Sequence, residues 1–578
     1  MKKALRYLTL LPGVLFIGIS LRWLIDPAGA AADRGGSHRD GLGPGDGRQH
    51  RESGDRLMRR RGYPTTRTYP GVEMKLLRIA LLVCSLPVAA GAVADPMSSA
   101  IQERVERLMI ESDYTIRGVA ILAREAIAEF YAAREYQPAW KTREKMAQLL
   151  ELSEFAYSEG LDPSDYPLEA ARALVPAGGG LPEELTDRAD LELLATESLI
   201  RMGYQLRYGK VNPNGLFPAW NFRRELNPGT ERSRTIENAI AAPSLKGFLE
   251  NWIKRGAIYT NQKRGLAQYR SIQKAGGWET VPAGATLHEG DSDPSVVALR
   301  RRLLVTGDLT EPQVDSETFD ANVQQAVVRF QERHGLGADG VVGPATYEAL
   351  NVTVEHRIDQ LRASLERMRW VLDEVREVTD KVVVVNVASA EVAVLQEPSG
   401  TAIFRSRAQV GKPYRQTPIF KGNIQYLQVN PTWTVPPTIL RNDVLPKLKQ
   451  DADGYLASKH MDLLDQQGNR VDHTKLDWSA IGPRNFPYIV RQRPGPWNAL
   501  GQVKFIFPNP HFVFLHDTPS RALFDRPDRT FSSGCIRGER PFELAEIVLD
   551  DSAGDKASLE ALLEKESPRN ISLQTDMP

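Results

Sequence analysis

The sequence predicts a multidomain α+β protein, and three observations support this fold class. The chain has 578 residues, more than one simple hydrophobic core usually serves. Apolar residues recur at helical spacing through 95–280, which predicts a helical scaffold domain without catalytic spacing of its side chains. Over 379–550, short β-branched runs separated by Pro and Gly predict a mostly-β domain.

The N-terminal residues read as targeting sequence and not as part of a folded domain. Residues 1–73 contain an apolar segment at 5–25 followed by Gly- and Arg-rich sequence, which predicts a disordered extension. Residues 74–94 run from a short basic start through an apolar stretch to a small-residue cleavage site ending at Ala94, the order of a signal peptide. We therefore expect export, with Met74 as the biological start. Membrane anchoring is expected only if the N-terminal segment is retained.

Cysteine, metal and charge content exclude several function classes. Cys84 lies in the predicted signal and Cys535 is the other cysteine, so neither a disulfide scaffold nor a Cys-based zinc site is expected. The sequence has no HExxH motif and no phosphate-binding loop, and we predict no metal and no cofactor. Equal numbers of basic and acidic residues, 73 each, give no electrostatic case for binding nucleic acid.

A small three-helix domain is predicted at 287–352. Asp293 precedes a first helix, and Val323, Val327 and Phe330 lie on one face of a second. Glycines supply the turns that follow. We interpret the helical residues between this unit and 379 as a connector.

The mostly-β domain is predicted from its strands, which are separated by turns. Strand-like runs occur at 381–396 (a pair joined by a turn), 403–410, 424–429, 488–492, 503–507 and 513–516. The polar and helical stretch at about 440–483 interrupts this rhythm, which predicts an inserted subdomain that could serve as a lid. Residues 551–578 are interpreted as a C-terminal tail.

A histidine and a cysteine in this domain form the candidate site. His516 ends a predicted strand, and Cys535 follows it by 19 positions after a Ser-Ser-Gly turn. A thiol needs a nearby base to become a thiolate at neutral pH, and histidine is the natural choice. Gly534 allows a tight turn whose N–H groups could face a developing oxyanion. The pattern predicts acyl transfer through a thioester, and the order of the two residues differs from that of papain-like proteases.

These motifs resemble YkuD-type L,D-transpeptidases. The matching signature is His516, then Ser532, Ser533, Gly534, Cys535, Ile536 and Arg537. Further matching segments are VGKPYRQTPIF (410–420), NPTWTVPPTI (430–439) and RQRPGPWNALGQVKFIFPN (491–509). Many members have His where this chain has Ser533, and Ser occurs there in the larger, YcbB-like periplasmic branch. The unit at 287–352 is similar to the peptidoglycan-binding domain of cell-wall enzymes.

The resemblance implies a role for each site residue. Cys535 would be the nucleophile and His516 its general base, and the N–H groups of Gly534 and Cys535 would help form the oxyanion hole. Ser533 would orient His516 through its backbone carbonyl or its hydroxyl, and Arg537 would fix the turn or bind a substrate carboxylate. The residues implied to line a substrate groove are Trp433, Trp497 and Asn498, with buried packing an equal alternative for the two tryptophans.

The resemblance also implies a periplasmic reaction on peptidoglycan stem peptides. Cys535 would attack the bond between diaminopimelate and D-Ala of a donor tetrapeptide, and the diaminopimelate amine of a second stem would resolve the thioester as a 3→3 cross-link. Water as acceptor would make the chain an L,D-carboxypeptidase, and a lipoprotein lysine would make it an anchoring enzyme. A non-catalytic peptidoglycan-binding scaffold that uses 287–352 is the alternative of a different class.

Overall fold

The structure is a computed structural model that defines the fold of nearly all of the chain after the predicted signal peptide. It describes residues 95–224, 229–253, 255–310, 315–375, 377–549, 556–565 and 567–578. The predicted extension at 1–73, with its apolar segment, and the predicted signal peptide at 74–94 lie outside the described residues. Within the described ranges, no helix combines the length and the apolar character that a membrane crossing requires.

The first folded region is a helical layer with its own apolar core. Its helices are Pro96–Ile110, Arg124–Ala133, Arg143–Ser158, Leu168–Leu174, Leu185–Tyr208, Thr230–Ala241, Leu245–Ile253 and Ala257–Lys274. A short hairpin joins strands β1 (Thr115–Ile116) and β2 (Val119–Ala120). The helix Leu185–Tyr208 is the most deeply buried, because apolar residues on several of its faces pack against the surrounding helices.

Three helices form the small domain that follows, at Ser295–Val305, Ala321–His334 and Pro344–Leu350. The carboxylate of Asp320 accepts the N–H groups of Asn322 and Val323 and so caps the second helix. Gly335 ends that helix in the left-handed conformation (φ 69°), which glycine adopts without a Cβ clash. The connecting helix Val354–Val375 packs along the helix Ala257–Lys274.

An eight-stranded sheet forms the core of the C-terminal domain. Its strands are β3 (Lys381–Asn386), β4 (Glu391–Gln396), β5 (Thr401–Gln409), β6 (Ile424–Val429), β10 (Val503–Ile506), β11 (Leu515–His516), β12 (Ile536–Gly538) and β13 (Arg569–Met577), in the order β13-β6-β10-β11-β12-β5-β4-β3. Neighbouring strands are antiparallel except β11 and β12, which are parallel. The helix Pro541–Leu549 covers the apolar face of the sheet.

The C-terminal residues correct the prediction of a tail at 551–578. Arg569–Met577 is strand β13, and it pairs with β6 at one edge of the sheet. Ile571 and Leu573 pack against the sheet core, and the N–H of Val383 in β3 donates to the carbonyl of Pro578 at 2.8 Å. The tail prediction was wrong because the partner of this segment lies some 140 residues earlier in the chain.

The inserted subdomain is larger than the predicted stretch at 440–483. Its sheet contains β7 (Trp433–Thr434), β8 (Met461–Leu464) and β9 (Ile489–Gln492), in the order β7-β9-β8. Its helical segments are Pro437–Ile439, Leu440–Val444, Leu445–Gln450, Ala452–Ser458 and His473–Lys475. Residues from 433 to 490 share one apolar cluster, so the run at 488–492, which was predicted as a strand of the main sheet, belongs to the insertion. The predicted multidomain α+β architecture is confirmed, with a helical region, a three-helix domain and a mostly-β domain.

Candidate active site

The sheet register brings the predicted cysteine and histidine to adjacent strands. His516 on β11 lies directly opposite Arg537 on β12, and Cys535 immediately precedes β12. Leu515 and Ile536 point into the apolar core. Side chains alternate between the two faces of a strand, so His516, Arg537 and Cys535 share the opposite face. The parallel pair β11–β12 therefore places the candidate nucleophile on the same face as the candidate base and diagonally across from it, two register positions before Arg537.

His516 is buried and held as a neutral imidazole. Its Nδ1 atom lies 2.5 Å from the carbonyl oxygen of Asp517, which can only accept a hydrogen bond. Nδ1 therefore carries the proton in this contact, and the backbone of Leu500 forms a further hydrogen bond with the ring. Burial, followed by the positive charge of Arg537, lowers the pKa of His516 to about 3. The imidazole is thus uncharged near pH 7 and can accept a proton at Nε2.

Cys535 is held as a neutral thiol. Burial raises its pKa above the usual value, opposed by a backbone hydrogen bond from Phe514 and by the positive charges of Lys504 and Arg537. Cys535 as a whole is half-buried, so part of the residue faces solvent. This differs from the thiolate expected from the sequence, because burial disfavours the charge on both partners.

A network of hydrogen bonds shapes the turn before Cys535. The Ser532 hydroxyl accepts the N–H of Gly534 at 3.0 Å and donates to the carbonyl of Cys535 at 2.5 Å. Gly534 has φ 117°, a conformation that side chains rarely adopt. The Thr417 hydroxyl donates to the carbonyl of Gly534 at 2.8 Å and accepts the N–H of Gly411 at 2.9 Å. The loop after β5 thus clamps the nucleophile turn.

Two predicted roles need correction. The N–H of Gly534 is already bonded to Ser532, so it is not a free oxyanion donor. Within the described part of the chain the N–H of Cys535 has no hydrogen-bond acceptor, and it remains the better candidate. The Ser533 hydroxyl lies 3.0 Å from Nη1 of Arg415, whereas the carbonyl of Asp517 orients His516. The hydroxyl of Ser533 therefore does not orient the imidazole.

The three predicted groove residues have different environments. Asn498 is fully buried, and its amide donates to the carbonyls of Pro431 and Arg493, so it holds the loop and does not face a groove. Trp433 packs against the apolar cluster of the inserted subdomain. Trp497 is 44% exposed and stacks on His460 with ring centroids 4.0 Å apart. Among the three, Trp497 alone presents a large free face to solvent.

Sequence reasoning missed Lys504, Thr417 and Asp517. Lys504 lies opposite His516 on β10, on the face that carries the site. Alternation in the run from Val503 to Ile506 assigns Lys504 to the face opposite the core, and this signal was available in the sequence. Thr417 lies in the segment 410–420, one of those that match the family. Asp517 contributes a backbone carbonyl, which the identity of a residue cannot reveal. No group of His, Cys, Asp or Glu side chains in the described ranges is arranged to hold a metal ion.

Comparison with protein families assigns each of these regions. Residues 125–266 match a scaffold domain, residues 292–350 a peptidoglycan-binding domain, and residues 380–556 an L,D-transpeptidase catalytic domain. The last match contains both His516 and Cys535.

Two curated proteins are similar over part of the chain. A protein of Haemophilus influenzae named "Putative L,D-transpeptidase" is 37% identical over 179 residues, which are 31% of this chain and 36% of that protein. The N-acetylmuramoyl-L-alanine amidase CwlM of Mycobacterium tuberculosis is 40% identical over 75 residues, which are 12% of this chain and 18% of that protein. The matches thus span about a third and under a fifth of the relatives' lengths. The chain therefore carries a YkuD-type L,D-transpeptidase catalytic domain together with a peptidoglycan-binding domain.

Proposed function

We propose that the chain is a periplasmic L,D-transpeptidase that forms 3→3 peptidoglycan cross-links through a cysteine thioester. The observation that carries this proposal is the placement of Cys535 and His516 on one face of adjacent parallel strands. The family matches support an enzyme that acts on peptidoglycan, and such domains indicate a location outside the cytoplasm. The cysteine dependence, the acceptor and the periplasmic location are part of the proposal.

In the first half-reaction, the thiol attacks as it loses its proton. Nε2 of His516 takes the proton from Sγ of Cys535 while Sγ attacks the carbonyl between diaminopimelate and D-Ala of a donor tetrapeptide. The N–H of Cys535 would stabilise the negative oxygen of the tetrahedral intermediate. The proton then passes from Nε2 to the nitrogen of the departing D-Ala. The products are a thioester on Cys535 and free D-Ala.

In the second half-reaction, an amine resolves the thioester. The side-chain amine of diaminopimelate on an acceptor stem attacks the thioester carbonyl, and His516 takes a proton from that amine. The C–S bond breaks and Sγ regains its proton. Because imidazole and thiol are both neutral at rest, the cycle begins and ends without an ion pair.

The peptidoglycan-binding domain would hold the enzyme on its polymeric substrate. It lies close to the catalytic domain, since a Cβ placed on Gly337 would come within 3.5 Å of Pro527, in the connection between His516 and Cys535. Binding of the polymer would raise the local concentration of stem peptides near the site.

The products of the purified chain with disaccharide tetrapeptides test the proposal. We expect dimers whose mass equals two tetrapeptides minus one D-Ala, and a thioester adduct on Cys535 in the intact protein. Tripeptides without dimers would indicate the carboxypeptidase alternative. Absence of both products, with Cys535 inert to thiol reagents, would favour a non-catalytic scaffold. The control is Cys535→Ser, which keeps the side-chain size and should form no thioester.

A further inference from the structure

A row of polar side chains crosses the sheet through the candidate site. Lys504 pairs with His516, and His516 pairs with Arg537. Beyond these residues the row continues to Gln428 on one side and Gln409 on the other. The register therefore places one cation on each side of the catalytic imidazole.

Both cations lack an acidic partner. In the part of the chain that the structure describes, no carboxylate lies within ion-pair distance of Lys504 or Arg537. The guanidinium of Arg537 contacts Gln409 at 3.2 Å, and its buried Nε has no hydrogen-bond partner. Nζ of Lys504 lies 3.7 Å from the ring centroid of Phe514, the residue beside Cys535 in the register.

Two partly buried cations without a counter-charge are costly to maintain. Each has lost part of its water shell, and burial lowers the pKa of both side chains. Cys535 is the neighbouring titratable group whose ionised form would stabilise the two cations. At rest, however, Cys535 is a neutral thiol and supplies no negative charge. The arrangement thus fits an anion that arrives with the substrate.

The chemistry of the proposed donor identifies that anion. In a tetrapeptide, the carboxylate carbon of the departing residue is three bonds from the carbonyl that Sγ attacks, a distance of about 3–4 Å. An attacking atom stands about 3–3.5 Å from that carbonyl. The carboxylate of the leaving residue therefore comes within reach of cations beside Cys535, whereas a longer stem carries a neutral amide there.

We propose that Lys504, with Arg537 beside it, binds the terminal carboxylate of the leaving residue and so selects donor stems that end one residue after the attacked carbonyl. This inference rests on the proposed function. It identifies the terminal carboxylate as the feature of the donor that the active site recognises. Lys504 is a substrate-binding residue in this role. The leaving D-Ala departs with its carboxylate unchanged and with the proton delivered by His516.

The test compares two donors that differ in one group, a tetrapeptide ending in D-Ala and the same peptide ending in D-alaninamide. Formation of the thioester on Cys535, followed by intact mass, gives kcat/KM for each donor. A charge-assisted contact predicts that the wild-type chain favours the carboxylate about 10- to 100-fold. We expect Lys504→Met to lose most of this preference by reacting more slowly with the carboxylate donor alone, and Lys504→Arg to restore part of it. Lys274→Met, which removes an exposed lysine of the helical region, should keep the full preference.

Each remaining outcome overturns the proposal. A wild-type chain that uses both donors equally does not read the carboxylate. A Lys504→Met chain that slows equally with both donors assigns Lys504 to the thiol or to the fold. A Lys504→Met chain that keeps the wild-type preference excludes Lys504 as the residue that recognises the carboxylate. A wild-type chain that reacts with neither donor contradicts the proposed function itself, a result distinct from the other three.

Discussion

The rate at which Cys535 is alkylated should rise with pH and show no plateau near neutrality. Burial raises the pKa of this thiol above its usual value, and the thiolate is the form that reacts with iodoacetamide. The thiolate is therefore the minor form near neutral pH, and its population grows in proportion to the hydroxide concentration. Each unit of pH from 6 to 8 should therefore raise the alkylation rate about tenfold.

His516 should add no inflection to this curve. Its pKa of about 3 means that the imidazole is neutral throughout the range, so no imidazolium stabilises the thiolate. A preformed ion pair would instead give a plateau of rapid alkylation from about pH 5 to 8, between the two pKa values of the pair.

Peptide-level mass spectrometry after timed exposure to iodoacetamide measures this rate. Peptide mapping separates Cys535 from Cys84, and Cys535→Ser gives the background. A rate that is constant between pH 5 and 8 would refute the neutral-pair reasoning. A thiol that stays unreactive up to pH 10 would refute the access to the sulfur that the proposed reaction requires.

Three further predictions concern the supports of the site. Thr417→Val removes two buried hydrogen bonds, so it should lower the free energy of unfolding by about 1–3 kcal/mol and slow thioester formation. Equal melting temperatures and rates in the variant and the wild type would contradict the role of Thr417 in holding the turn before Cys535. Gly411→Ala would put a Cβ 2.2 Å from the carbonyl oxygen of Arg415, so chemical denaturation should show a loss of about 3 kcal/mol or more, and unchanged stability would contradict the close approach. The pKa of His516 is lower in the folded state than in the unfolded chain, so the unfolded chain binds a proton first as the pH falls. The stability that the neutral imidazole allows is therefore present above pH 6.5 and is lost as the pH falls towards about 3. From pH 7 to pH 4 the loss is about 3 kcal/mol. In His516→Gln this acid-dependent fall in melting temperature should shrink, and an equal fall in both proteins would exclude His516 as its source.

Local sequence predicted those parts of the site that depend on short segments. The Ser-Ser-Gly-Cys turn and the strand ending at His516 are encoded within a few residues, and so is the helical face that carries Phe330. The strand pieces at 424–429 and 503–506 also follow from alternation.

Other features depend on contacts between distant segments. β13 is a strand because it pairs with β6, and the insertion extends to 433–492 because its flanking runs share a core with its middle. The orientation of His516 comes from the backbone carbonyl of Asp517, an atom that any residue at that position would supply. The place of Lys504 beside the imidazole depends on strand register, which alternation alone does not fix.

The hydrogen bond from Val383 to the carbonyl of Pro578 has a consequence for solubility. It ties the residue after β13 to β3, the two outermost strands of the eight-stranded sheet, and so pairs one backbone group at each edge. Exposed edges of that kind recruit strands from other molecules and start aggregation. A change that breaks this contact should therefore leave more of both edges open to such pairing.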